Sequence, residues 1–349
     1  MVGLISPEIR DVAVPIAGEP KGKNLLSMHQ LNEDDIYIYL EEAQAASRLV
    51  DDPSLRGIRL LPHAVMKAVM RQPSTRTGGS MTTAMFKLGG AGELISGMSS
   101  SSEAKGESLA DSWIAFATQA DILGIRTAED NGPAFAARVI AESAAAGKLP
   151  RTIPVINLGD GRNEHPTQAL GDEFTIFRKF GRFEGLVLAV VGDHERYRAH
   201  HSLMIGAAML GMTVVAVESK AAKVPPDLVA AMGNKLSRTY DLDEAMRYTD
   251  ALYVGRKPDE YAGRKWQEKR RERRLDRDYR KWVIDNDRLQ QMSPNALVLH
   301  PRPRRGELHP SVDSDPRMGD VMQMYNMIAM RMAIIALHLG ESISEYVMC

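Results

Sequence analysis

The chain has 349 residues, 44% of them hydrophobic and 26% charged, with a net charge of −1. These are globular proportions, with no overall field that would favour nucleic acid or a membrane surface. A single cysteine, Cys349, excludes an internal disulfide framework and a thiolate metal cluster.

The length suits two domains of about 150 residues each. The N-terminal segment shows no basic stretch followed by an apolar core, and no apolar run reaches about 18 residues, so the expected location is the cytoplasm. After a Pro/Gly-punctuated arm, "LNEDDIYIYLEEAQAASRLV" reads as a helix capped by Asn32, with Ile36, Leu40, Ala43 and Val50 along one side. "HAVMKAVM" (63–70) alternates like a strand. From Gly79, the spacing of Met81, Ala84, Met85 and Leu88 predicts an amphipathic helix stopped at Gly89-Gly90. "ADILGIR" (120–126) is a strand, "FAARVIAESAAA" a helix, and "TIPVINLGDG" a strand ending in a turn.

The second half repeats this rhythm. "GLVLAVVGD", "MTVVAVES", "DALYVGR" and "NALVLHPRP" read as strands, and "HHSLMIGAAMLG" as a helix. The alternation implies an α/β fold with two doubly wound parallel sheets, whose ligands bind beyond the carboxyl ends of the strands. A Met- and Ile-rich helix is expected from about Asp320 to Glu345. No repeat of 20–50 residues is visible. The segment 264–281, "RKWQEKRRERRLDRDYRK", reads foremost as a solvated, salt-bridged helical insertion, with a basic partner surface as the alternative.

The chemistry concentrates in "QPSTRTGGSMTTAMFKLGG" (72–90). A strand followed by Ser74-Thr75-Arg76-Thr77 and a helix start is an anion site. Outward-pointing backbone N–H groups, three hydroxyls and a planar guanidinium converge there. It is no Walker loop, because the glycines follow the cluster and no Gly-Lys-Ser/Thr appears, and the dinucleotide G-x-G-x-x-G order is also absent. Nucleotide binding is therefore disfavoured. Further segments carry Lys105 after a Ser-rich loop, Arg126 at a strand end, and His165 with Gln168 one turn apart. "LHPRPRRGEL" sets two prolines around Arg302. Singly, each has an ordinary reading: a solvated lysine, a surface arginine, a capping histidine, a kinked loop.

In this order and at these distances the segments resemble the aspartate/ornithine transcarbamoylases, with the aspartate branch the nearer. The resemblance runs from "GKNLLSMHQL" to the final helix. It implies carbamoyl phosphate as first substrate, L-aspartate as acceptor, and neither metal nor organic cofactor. It also implies a carbamoyl-phosphate domain over 1–166, an amino-acid domain over 167–319, and a C-terminal helix, 320–349, packing back on the first. By matching position, Ser74, Thr75, Arg76 and Thr77 would hold the phosphate with help from Arg126. Thr77, Arg126 and His165 would polarise the carbonyl. Gln168 and the carbonyls of Pro301 and Arg302 would receive the carbamoyl NH2. Ser101 and Lys105 would reach a neighbouring subunit's site in a homotrimer, and Arg198 and Arg256 would bind the two carboxylates of aspartate.

The pattern departs from the family's at several positions. Gly78 replaces a second arginine, and Gln72 stands at a glutamate position. Arg256-Lys257-Pro258 lacks the pocket glutamine, and Arg302 replaces a leucine. The ornithine branch's H-C-L-P and S-M-G motifs are absent. Two alternatives stay open: a different anionic amino acid as acceptor, or a non-catalytic relative serving as an assembly or regulatory subunit. A regulatory chain or dihydroorotase as partner is undecided by the sequence.

Overall fold

The computed structural model describes residues 7–97, 106–258, 260 and 265–348. The chain forms two compact units, Met1–Gly171 with Tyr325–Cys349, and Asp172–Met324.

The first unit begins with helix α1 (Glu33–Asp51). Asn32 caps it reciprocally: its side chain accepts from the Asp35 N–H at 2.8 Å, and the Asp35 carboxylate accepts from the Asn32 N–H at 2.9 Å. Then follow β1 (Val65–Met70), α2 (Thr75–Lys87), β2 (Ala91–Ser96), α3 (Leu109–Ala117), β3 (Ile122–Thr127), α4 (Gly132–Ala145), β4 (Val155–Asp160) and α5 (Pro166–Phe180), whose residues from Asp172 onward belong to the second unit. The sheet is parallel, in the order β2-β1-β3-β4. The chain leaves β1 to one side for β2 and returns on the other for β3. The topological switch, where such sheets open a crevice, therefore lies between β1 and β3.

The second unit contains β5 (Val187–Val191), α6 (Arg198–Met209), β6 (Thr213–Val217), α7 (Pro226–Met232), β7 (Leu236–Thr239), α8 (Leu242–Arg247), β8 (Ala251–Val254), α9 (Trp266–Lys281), α10 (Asn286–Leu289) and β9 (Leu297–Leu299). Its order, β7-β6-β5-β8-β9, is again all parallel, and its switch lies between β5 and β8. The strands at the switch are buried on both faces, with Leu188, Ala189, Val190, Leu252 and Tyr253 all at 0% exposure, as helix-covered parallel sheets require.

The long helix α11 (Asp320–Leu339) and the short α12 (Ile343–Met348) end the chain. The expected single helix to Glu345 is broken at Gly340, whose φ of +85° suits glycine. His338 on α11 joins the first unit. Its Nδ1–H donates to the Lys23 carbonyl at 2.8 Å, and its Nε2 accepts from the Tyr39 hydroxyl at 2.8 Å.

Three other expectations are corrected. Helix α2 starts at Thr75 rather than Gly79, so the Ser-Thr-Arg-Thr cluster forms its cap and first turn. The strand expected from residue 63 starts at Val65, because His63 turns with φ +74°. Strands β2 and β7 and helices α3, α7, α8 and α10 have no counterpart in the pattern reading. The basic insertion is helix α9, and its acids are engaged. Glu272 pairs with Arg196 at 2.6 Å and Lys257 at 3.0 Å, and Asp276 pairs with Lys257 at 2.6 Å. Among the described residues no helix is long and apolar enough to cross a membrane.

Candidate active site

In the first unit, Ser74 caps α2. Its oxygen accepts from the Thr77 N–H at 3.4 Å, and its hydroxyl donates to the Thr77 side chain at 3.0 Å. Thr77 is buried, whereas Thr75 and Arg76 are exposed on the first turn. Gly78 packs under Leu94 of β2: a Cβ there would stand 2.4 Å from Leu94 Cδ1. Leu94 thus fills the space beside the position where the family pattern has its second arginine.

Arg126 ties this turn to its neighbours. Its carbonyl accepts from the N–H groups of Arg71 and Gln72 at 2.9 and 3.3 Å, anchoring the segment that leads from β1 into the cap. Its guanidinium, on a residue only 9% exposed, donates to the Leu158 carbonyl at 3.2 Å. There the β3–β4 ladder is irregular: Ile125 faces Asn157, but Thr127 faces Asp160, so β4 carries one extra residue. Such a bulge re-aims side chains at a sheet end. It is stapled by Asn157, whose Oδ1 accepts from the Gly159 N–H at 2.7 Å and whose Nδ2 donates to the Leu26 carbonyl and to Asp160. Gly159, at φ +113°, supplies the backbone freedom.

Asp160 organises the loop that delivers His165. It accepts from the backbone of Glu164 (3.1 Å) and Asn131 (3.0 Å) and from the side chains of Asn157 (3.0 Å) and Asn163 (3.2 Å). Burial nevertheless pushes its carboxyl up to about 6. Glu164 grips Ser27 and the Met28 N–H. His165 then directly precedes α5, buried, with the Thr167 hydroxyl 3.5 Å from Nδ1, and its carbonyl accepts from the Gln168 N–H at 2.9 Å. The ends of β1, β3 and β4 therefore bring Ser74–Thr77, Arg126, His165 and Gln168 to one edge of the sheet. Ser101 and Lys105 lie outside the described residues.

In the second unit, Arg198 opens α6 after β5 and Arg256 follows β8, so both flank that sheet's switch point. Arg198 is 5% exposed. The Arg256 fork meets Glu260 bidentately, with one contact at 2.9 Å, and donates to the Lys257 carbonyl at 3.2 Å. Burial pushes the Glu260 carboxyl up, but the Arg256 hydrogen bond and charge outweigh it and hold it below its ordinary value. The guanidinium carbon lies 5.7 Å from the centre of the Tyr197 ring. Beneath, His194 and His200 are fully buried, and desolvation lowers His194 to about 4 and His200 well below the ordinary histidine value. Both are neutral at pH 7.

The turn after β9 carries Pro301 and Arg302, both half-buried. His300 Nδ1 accepts from the Arg302 N–H at 2.9 Å, while its Nε2–H donates to Glu307 at 2.7 Å. Glu307 also accepts from the Arg305 N–H at 3.1 Å, so the 300–305 turn is pinned from within. Arg302 binds Asp320, with Nε to Oδ2 at 2.6 Å. Lys257 and Arg302, the two extra positive charges beside the expected acceptor residues, are thus both engaged by carboxylates. Asn157, Asp160, Glu307 and Tyr197 were not singled out from sequence. The only local cues were a Gly/Asp turn and a Glu seven residues beyond His300. Among the described residues, no group of three or more His, Cys, Asp or Glu side chains is placed to hold a metal.

Each of the two parallel α/β units carries arginines at its switch point, the place where such sheets bind their ligands. The chain belongs to the aspartate/ornithine carbamoyltransferase family: the carbamoyl-P binding domain matches residues 23–178 and the Asp/Orn binding domain residues 184–338. A similar relative is the aspartate carbamoyltransferase catalytic subunit of Archaeoglobus fulgidus, 32% identical over 90% of this chain and 98% of its own. Among solved structures, Trypanosoma cruzi aspartate transcarbamoylase with carbamoyl phosphate aligns with a TM-score of 0.81 at 30% identity, covering 93% of this chain and 98% of that one. The same enzyme with N-(phosphonacetyl)-L-aspartic acid gives 0.79 at 29% identity over the same shares.

Proposed function

We propose that this protein transfers the carbamoyl group of carbamoyl phosphate to the α-amine of L-aspartate, giving N-carbamoyl-L-aspartate and phosphate, a step of pyrimidine biosynthesis. The reading rests on the anion turn at Ser74–Thr77 built onto Arg126, in a chain whose relatives are aspartate carbamoyltransferases.

In this reading Ser74, Thr75, Arg76, Thr77 and Arg126 hold the phosphate, and Thr77, Arg126 and His165 polarise the carbonyl. Gln168 and the carbonyls of Pro301 and Arg302 take the carbamoyl NH2. Arg198 and Arg256 bind the aspartate carboxylates. The free amine attacks the carbonyl carbon, a tetrahedral oxyanion forms, and the C–O bond to phosphate breaks as negative charge moves onto the leaving group, which takes up the proton that the amine gives up. Fixed cations and a histidine donor stabilise that charge without a covalent intermediate. Arg198 and Arg256 match two carboxylates, with Arg256 held in place by Glu260 while Lys257 and Arg302 pair with Asp276 and Asp320. An ornithine acceptor would bring a cationic side chain where the clamp presents a guanidinium, which is unfavourable. The active form is a homotrimer in which Ser101 and Lys105 complete a neighbour's site.

The test is a ureido-product assay with carbamoyl phosphate and a panel of amino acids. Product is expected with aspartate and none with ornithine. Ornithine as the best acceptor would overturn the two-carboxylate reading. No product with any amine, while carbamoyl phosphate still binds, would favour a non-catalytic role.

A further inference from the structure

Tyr197 sits between two groups that have no evident need of an aromatic neighbour. On one face it carries Arg256, 5.7 Å from ring centre to guanidinium carbon. Against the ring stands His200, edge-on at 88° with centroids 4.8 Å apart. His200 is wedged between the ends of β5 and β8. A Cβ on Gly192 would lie 2.8 Å from its ring, and one on Gly255 only 2.1 Å from Nε2 and 3.2 Å from Tyr197 Cδ1. Only glycine at 255, the residue before Arg256, lets this pair approach the backbone so closely.

The stack continues below to Tyr253, edge-on to His200 at 5.8 Å. His200 is fully buried, and among the described residues neither ring nitrogen has a hydrogen-bond partner. It acts as an apolar, uncharged block, because burial, with His194 and His201 beside it, disfavours the cationic imidazole. Tyr197 is 8% exposed and its hydroxyl makes no hydrogen bond among the described residues, so the ring makes its contacts through its faces and edges. The Arg256 fork donates at its edge to Glu260 and to the Lys257 carbonyl, and its central carbon lies over the Tyr197 ring.

We propose that Tyr197 is a positioning residue for the acceptor: its ring, braced by His200, fixes the plane of the Arg256 guanidinium so that it meets a substrate carboxylate in one orientation. Hydrogen bonds to Glu260 and the Lys257 carbonyl hold the guanidinium along its edge. A ring under the guanidinium carbon opposes tilting about that edge, through an attraction that strengthens as water is excluded. The amide contact missing at Pro258 makes such bracing more consequential. The inference rests on the aspartate reading of Arg256.

The test compares Tyr197→Phe, which keeps the ring, with Tyr197→Leu, which keeps bulk but no π face. Two readouts are used: steady-state kinetics with aspartate at saturating carbamoyl phosphate, and the Nε–H resonance of Arg256 in 15N-arginine-labelled protein, assigned with Arg256→Lys. The expected result is an aspartate KM about five-fold higher in Tyr197→Leu, with carbamoyl-phosphate affinity unchanged. The ring-current shift of the Arg256 resonance should be lost in the same variant, and Tyr197→Phe should behave like wild type in both. Wild-type KM and resonance in Tyr197→Leu would overturn the proposal, as would a Tyr197→Phe defect equal to that of Tyr197→Leu, which would assign the effect to the hydroxyl. If wild type carbamoylates no aspartate, the aspartate reading falls, while the resonance still decides the ring contact.

Discussion

Replacing Glu307 by glutamine should loosen the turn that carries Pro301 and Arg302. Glu307 is 4% exposed and receives two donors, the His300 Nε2–H at 2.7 Å and the Arg305 N–H at 3.1 Å. Burial pushes its carboxyl up, but the His300 hydrogen bond and the backbone donors together outweigh that and hold it below the ordinary glutamate value. Both donors reach Oε1, and the Arg305 N–H is shared with the second oxygen, so glutamine keeps one acceptor for both but sets its NH2 against the shared side of the Arg305 N–H. The charge-assisted bond to His300 becomes neutral and the bifurcated contact is halved, so the expected loss of stability is about 1–2 kcal/mol. His300 Nδ1 accepts from the Arg302 N–H, so a displaced imidazole also shifts the carbonyls proposed to receive the carbamoyl NH2. A displacement costing about 1.4 kcal/mol in the transition state would lower kcat about ten-fold. Urea unfolding and steady-state product formation are measured on the same preparation. Stability lost with kcat within two-fold of wild type would refute the link from this turn to catalysis. Unchanged stability would refute the relay itself.

Arg76→Ala should weaken carbamoyl-phosphate binding by about 1.5–3 kcal/mol, the loss of a charge-assisted contact, read by calorimetry. Mixed with inactive Lys105→Ala chains after dissociation and reassembly, it should recover activity if sites are shared between subunits; hybrids that stay inactive would contradict the sharing. For pH dependence, burial holds His338 at about 4, below the ordinary histidine value of about 6.5. The stability tied to its neutral form is full above pH 6.5 and is lost as pH falls toward 4, about 2 kcal/mol between pH 7 and pH 5. His338→Gln should therefore unfold with about one fewer proton taken up at pH 5, measured from the pH dependence of the unfolding free energy.

What the sequence disclosed was local chemistry. Three hydroxyls and an arginine after a strand announce an anion turn wherever they occur, and the structure caps α2 with that turn. Its early start was hidden because Gly78 and Gly79 blur the helical period. Strand β2 escaped because it lies at a sheet edge with largely exposed residues, leaving no alternation to read. The aiming of Arg126 depends on a bulge made by Asn157 and Gly159, some thirty residues away on another strand, and nothing near Arg126 signals it. Likewise Tyr197 meets Arg256 only because β5 and β8 are neighbours across the switch point. Lys257 and Arg302 looked like added positive charge, but their carboxylate partners, Asp276 and Asp320, lie 18 or more residues further along the chain.

The proposed reaction needs both the Ser74–Thr77 turn and the arginines Arg198 and Arg256. The direct measurement is a calorimetric titration with N-(phosphonacetyl)-L-aspartate, which joins a phosphonate to two carboxylates in one molecule, on wild type, Arg76→Ala and Arg256→Ala. One site per chain is predicted, binding more tightly than phosphate or aspartate alone and weakened at least ten-fold by either substitution. Binding that depends on Arg76 but is indifferent to Arg256, or no binding to wild type, would contradict the account.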